Sequence, residues 1–221
     1  MRRWGLIMSA AYALIVIGVL VPGAVLISGG SNTTWSWGNF SSDLGDTYKE
    51  WLTWVPIVMV LAGQWVLLFL SVDTRWRRLK PQRHLAVACI MVAALTTLLA
   101  IGAIWSVGLA AVGDRFLDWF DERAKILGFL LILWLLWGAV FYAYLRTSSE
   151  VTTRIVSWLL RGSILELLIV VPCHIVVRRR HDCCAPFATS LGIAAGIAVM
   201  LLSFGPSVLL LYKKQLDGYQ K

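Results

Sequence analysis

Charge is scarce in this chain. Asp, Glu, Lys and Arg make up 14% of its 221 residues, against a hydrophobic fraction of 59%, whereas a soluble domain carries about a quarter of its residues charged. That shortage excludes an ordinary soluble surface. Cysteine (4) and histidine (3) are few as well. Four cysteines in a chain of this size make no disulfide framework, and Cys89 lies inside an apolar block, where a free thiol packs as a small hydrophobe. Also missing are a nucleotide-binding glycine loop, a catalytic-serine motif, a paired-histidine helix motif and a retinal-type lysine. No enzyme activity and no particular cofactor is therefore indicated, and the two halves show no inverted repeat of the transporter kind.

Apolar length is what the chain has instead. Mean hydropathy is +0.75, and the apolar residues fall into blocks of about twenty, the length that crosses ~30 Å of hydrocarbon as a helix. The expected fold is an all-α integral membrane protein, a bundle of about six spans at 4–28, 54–72, 85–109, 126–145, 155–177 and 187–212 in one polytopic domain. The first block is too long for the apolar core of a signal peptide and reads as a retained span. Pro22 and Gly23 are expected to bend its outer third, provided neighbours satisfy the freed backbone groups. Residues 29–49 read as a polar outer loop, with Trp35, Trp37 and Phe40 dipping into the interface. Before the fourth span, Phe116, Trp119 and Phe120 recur at i, i+3, i+4, the pattern of a short amphipathic surface helix.

The formal net charge of +8 belongs to the connectors. Arg2 and Arg3 open the chain, and residues 73–84 hold five Lys or Arg, so both segments are expected on the cytoplasmic side, as in the inner membrane of a bacterium. No basic run is long enough to track several phosphates and none is accompanied by an aromatic stacking platform, so nucleic acid is not an expected partner. Expected partners are membrane lipid and other membrane subunits, or further copies of the chain.

One stretch, 159–186, breaks the pattern. Arg161 and Glu166 sit in an apolar run, and a charged residue inside a span costs at least about 2.5–3.5 kcal/mol on insertion scales, which marks both as candidate buried functional groups. Gln64, alone at mid-span, is a third; an amide there usually bonds a neighbouring helix. Cys173, His174, Cys183 and Cys184 supply soft donors for a metal or thiol chemistry, although adjacent cysteines do not readily share one ion and the usual two-residue gap is absent. Arg178, Arg179 and Arg180 are candidates for an anion or lipid headgroup.

Two arrangements of this stretch compete. Either 155–177 crosses and the arginine triplet lies outside, or only 164–177 enters as a re-entrant hairpin breaking near Pro172, leaving five spans. Both place 13 Lys and Arg inside and 7 outside, so the charge rule does not separate them; the re-entrant form leaves irregular backbone in lipid. In the last block Ala188, Gly192 and Gly196 recur every four residues, a ridge that lets another helix approach closely, with the Glu166 helix the expected neighbour. The function expected is that of a non-catalytic subunit or accessory factor of a membrane complex. The alternatives are a metal- or thiol-handling protein using 173–184, and an ion or small-solute transporter in which Glu166, Gln64 and Arg161 share one cavity.

Overall fold

The computed structural model describes residues 2–28, 37–72, 82–113, 115–118, 123–146, 151–180 and 185–219, all of them helical apart from short turns and Glu50. In chain order the helices are α1 (Arg2–Ile15), a π turn (Val16–Leu20), α2 (Val21–Ser28), α3 (Trp37–Lys49), α4 (Trp51–Val72), α5 (Gln82–Val112), α6 (Arg115–Asp118), α7 (Arg123–Arg146), α8 (Val151–Arg179) and α9 (Ala185–Tyr219). Among the described residues, five segments are each long and apolar enough to cross a membrane: Ile7–Ser28, Ala86–Val112, Leu127–Arg146, Arg154–Arg179 and Ala185–Phe204. The expected span at 54–72 falls within α4. Its segment Thr53–Leu67 passes the same test only together with α3, which meets it at a bend of 69°.

α5, α8 and α9 form the centre. Leu99 lies against Gly162 and Gly102 against Glu166, so α5 and α8 run in the same direction; Gly196 faces Glu166 and Leu167, and Gly192 faces Val170, so α9 runs opposite. Tyr12 closes the first span onto this core, its hydroxyl donating to Ala198 O at 2.7 Å. α7 is the most peripheral of the five, held to α5 by contacts that include the Trp134 indole N–H donating to Ile90 O at 3.2 Å. The main apolar cluster joins Val92, Leu95 and Leu99 with Phe141, Leu145, Ile155, Leu159, Val199 and Leu202. Cys89 is buried within it as a free thiol.

Several expectations are corrected. Residues 37–49 are a helix, α3, where a polar loop was expected. Trp37, Phe40, Leu44 and Tyr48 form an apolar stripe at helical spacing, which the many Gly, Ser and Asn residues disguise. The re-entrant alternative required a break near Pro172, and α8 runs through Pro172 unbroken for 29 residues. A proline removes one helical hydrogen bond, a loss that a helix packed on both neighbours tolerates. Of the surface helix, Arg115–Asp118 is a single helical turn and 119–122 lie outside the described residues. Phe116 does not lie on the surface but folds back edge-on to Trp105, centroids 5.8 Å apart. Gly113 makes this reversal, with φ 73° and its N–H bonded to Leu109 O at 2.9 Å, the left-handed cap that glycine adopts without a Cβ clash.

The first span departs from regular α-helix just before Pro22. A π turn precedes Pro22, with the Val21 N–H bonding Val16 O five residues back. In that register Pro22 would serve Ile17 O but has no N–H to give. The Tyr48 hydroxyl from α3 donates to Ile17 O instead. A carbonyl that would be orphaned in apolar surroundings is thereby satisfied.

Candidate functional site

The site begins with one side chain that the sequence places awkwardly. Glu166 lies near the middle of the Arg154–Arg179 segment, and the residues it meets, Gly102 and Gly196, lie near the middle of theirs. It is 2% exposed, and neither carboxyl oxygen has a hydrogen-bond partner. Carboxyl groups buried in proteins are nearly always paired, because a bare one forfeits its hydration without compensation.

Two neighbouring helices omit side chains to admit it. A Cβ on Gly102 would lie 2.8 Å from Glu166 Oε1, and one on Gly196 would overlap Oε2. Gly192 completes the cradle: its Cβ would lie 3.8 Å from Oε1, 3.5 Å from Ser106 Oγ and 3.2 Å from Val170. The glycine ridge thus meets the Glu166 helix, and α5 supplies a further glycine, Gly102, from the other side.

Ser106 is the residue that reading missed as part of the site. It is 1% exposed and its hydroxyl has no partner. One signal was available: Gly102 and Ser106 share a face of α5 at four-residue spacing, the same small-xxx-small pattern seen in α9.

One turn further along stands His174. Its Nδ1 lies 2.7 Å from Thr189 Oγ1, whose hydroxyl is 3.1 Å from the carbonyls of both Ala185 and Pro186. The arrangement that uses both of these contacts has Thr189 donating to a carbonyl and Nδ1–H donating to Thr189, a tautomer assigned from the bonding. That leaves Nε2 with a lone pair, buried and without a partner. His174 is therefore positioned by α9, and its second nitrogen faces the interior.

The remaining candidates are dispersed. Arg161 is exposed on the opposite side of α8 from Glu166. Gln64 is 6% exposed, its Oε1 unpartnered, but its neighbour Gly63 meets α5 at Leu95, seven residues or about 10 Å of helix below Gly102. Arg161, Gln64 and Glu166 are not brought together. Cys173 is a half-buried free thiol, and among the described residues no group of three His, Cys, Asp or Glu could hold a metal. Cys183 and Cys184 lie outside the described residues. Arg178 and Arg179 occupy the last turn of α8 and Arg180 follows it, all exposed, where positive charge suits the carbonyl end of a helix.

No protein-family model matches the chain, and neither does any curated protein or solved structure.

Proposed function

We propose that the protein is a non-catalytic subunit or accessory factor of a membrane complex, and that it recognises a partner helix through the outer face of α8. The observation that carries this reading is Arg161. It stands on an apolar stripe with Trp158, Leu165 and Leu168, all exposed, and among the described residues it makes no ion pair. Five residues separate it from Glu166, so it sits only about 7.5 Å along the helix axis from the middle of the span. An arginine presented to lipid at that depth is costly, and a carboxylate on a neighbouring span removes the cost by pairing with it. A second copy of this chain does not offer that carboxylate, because Glu166 is buried in its own bundle. The occupant proposed is a different membrane protein carrying an acidic residue within a span. The setting is the cytoplasmic membrane of a bacterium, N-terminus inside, which the basic segments at 2–3 and 73–84 support.

The test is a photocrosslinking residue at Leu168, one turn from Val171 on the same outer face, in native membranes. The expected result is a discrete adduct with one protein whose own span contains Asp or Glu, lost in Arg161→Gln and partly kept in Arg161→Lys. Adducts with lipid alone, with a second copy, or with a protein whose capture ignores Arg161→Gln would overturn it. A second reading, an ion or small-solute transporter built around Glu166, is favoured by the buried carboxyl itself. It requires a flux that Glu166→Gln abolishes while assembly persists.

A further inference from the structure

Three buried polar side chains with unpartnered atoms lie in one seam. They are the Glu166 carboxyl, Ser106 Oγ and His174 Nε2, on residues 2%, 1% and 5% exposed. Their order along the seam is fixed by Gly192. It faces Val170, which is one turn from Glu166 and one from His174, and the Ser106 hydroxyl lies 3.5 Å from its Cβ position. Ser106 therefore stands at the level between the other two. Each step is about one helical turn, near 6 Å, a gap that a bridging water spans between two polar groups.

The other unpartnered polar atoms of the seam, Ser106 Oγ and His174 Nε2, lie on one side of Glu166. Toward the N-terminal end of α8 lie the buried apolar Leu99, Leu159, Ile155 and Leu95, with two buried serines, Ser163 and Ser203, whose hydroxyls donate to Leu160 O and Val199 O on their own helices. Toward the C-terminal end it passes Ser106 and His174, and then the buried apolar Leu109, Val177 and Ala185 beneath the last turn of α8, where Arg178 and Arg179 are exposed. Among the described residues no charged group faces Glu166 from its neighbours. The segments 86–112 of α5 and 185–204 of α9 contain no Asp, Glu, Lys, Arg or His, and neither does 7–28 of the first span or 53–67 of α4. Tyr12 on the first span has its hydroxyl committed to Ala198 O. On α8 itself, Arg161 faces outward, Cys173 is half-buried, and His174 is the remaining titratable group of the seam.

We propose that Glu166 is a proton-binding site at the middle of the membrane, reached from one face only by way of His174 and Ser106. A cation larger than a proton has too few ligands: the seam offers two carboxyl oxygens, one hydroxyl and, two helical turns away, one imidazole nitrogen, and the helix carbonyls around them are engaged in their own ladders. The step is simple. A carboxylate oxygen accepts H⁺ to become an O–H, nothing is oxidised or reduced, and the proton leaves by the same route. His174 fits the relay because Nδ1–H is anchored on Thr189 while Nε2 is open to accept and return a proton. Because its unpartnered polar neighbours, Ser106 and His174, lie toward one end of the bundle only, the site reads the proton activity of that compartment and does not conduct between two. Ionised, the carboxylate would lie against three glycine backbones with no counter-charge, so the occupied and empty states favour different packing of α5, α8 and α9.

The test uses the full chain in lipid nanodiscs, followed by infrared difference spectroscopy through a pH titration and after transfer to D₂O. The expected spectrum contains a protonated-carboxyl carbonyl band that titrates, is absent in Glu166→Gln, and shifts on exchange to deuterium. Its exchange should slow by about tenfold or more in His174→Phe and in Ser106→Ala, the loss that removing a proton-transfer group brings, and stay unchanged in the lipid-facing control Leu168→Ala. Those slowed rates do not depend on Glu166→Gln folding. A band that is absent from the wild-type protein, fails to titrate, or exchanges equally fast in His174→Phe and Ser106→Ala would overturn the proposal.

Discussion

If the glycines at the seam exist to admit a carboxyl, then adding a methyl there should hurt only while the carboxyl is present. Gly196 gives the sharpest case. Its Cβ would overlap Glu166 Oε2 and come within 3.0 Å of Leu167 Cδ2, while on the far side Gly102 leaves only 2.8 Å between its own Cβ position and Oε1. The carboxyl is boxed between two helix backbones. Overpacking of this kind costs about 1–3 kcal/mol, partly offset by the roughly 0.5–1 kcal/mol that alanine gains over glycine in a helix. In a Glu166→Ala background the overlap disappears and only the Leu167 contact remains, so Gly196→Ala should be close to neutral there. The coupling between the two sites is then about 1–3 kcal/mol, well above the few tenths by which independent sites depart from additivity. It is measured as a double-mutant cycle, titrating the four proteins in mixed micelles with sodium dodecyl sulfate and following helical circular dichroism. Gly18→Ala is the control, because nothing lies within 4 Å of its Cβ position. Equal cost of Gly196→Ala in both backgrounds would refute the reasoning.

The same titration checks three further expectations. Tyr48→Phe should lose about 1–2 kcal/mol by orphaning Ile17 O at the π turn, and Pro22→Ala should restore most of it by supplying the missing N–H. At the end of α5, Gly113→Ala should cost about 1–2 kcal/mol because φ is positive there, with Gly113→Asn costing less. Gly108→Ala should displace the Phe116 ring that lies over it, so its effect should largely vanish in Phe116→Ala, whereas simple addition of the two costs would show that the ring does not rest there.

The spans were legible because bilayer thickness imposes a length, and a block of twenty apolar residues leaves few alternatives. The meeting of Glu166 with Gly192 and Gly196 was legible for a related reason: small residues four apart mark the face another helix can approach, and a short connector names that helix. Two features were not. The helix Trp37–Lys49 carries its apolar residues as a stripe, but its Gly, Ser and Asn content outweighs the stripe when composition alone is read. The π turn at Val16–Leu20 depends on Tyr48, 31 residues away from the carbonyl it serves, and no local window contains both halves of that bond. Ser106 stayed hidden in the same way. A serine in a span is ordinary until the helix opposite is known to present an acid at its level.

α8 carries an acid and a base five residues apart, and the helix itself keeps them from neutralising one another. Five residues turn about 140° around the axis, which sends Glu166 into the seam and Arg161 to the outer face. Had the pair been spaced by four, each would have satisfied the other and neither would require anything outside the helix. At five, both need partners that α8 does not supply. The inner face offers glycine backbone, a serine and a histidine, a set that accommodates a proton and little else. The outer face offers leucine and tryptophan around a guanidinium, a set that an acidic span complements. The two requirements are separable by mutation: Arg161→Gln should abolish partner capture and leave the Glu166 infrared band in place, while His174→Phe should slow exchange at that band and leave capture intact. A loss of both from either single change would mean that the two faces of α8 are one site, coupled through movement of the helix as a rigid body.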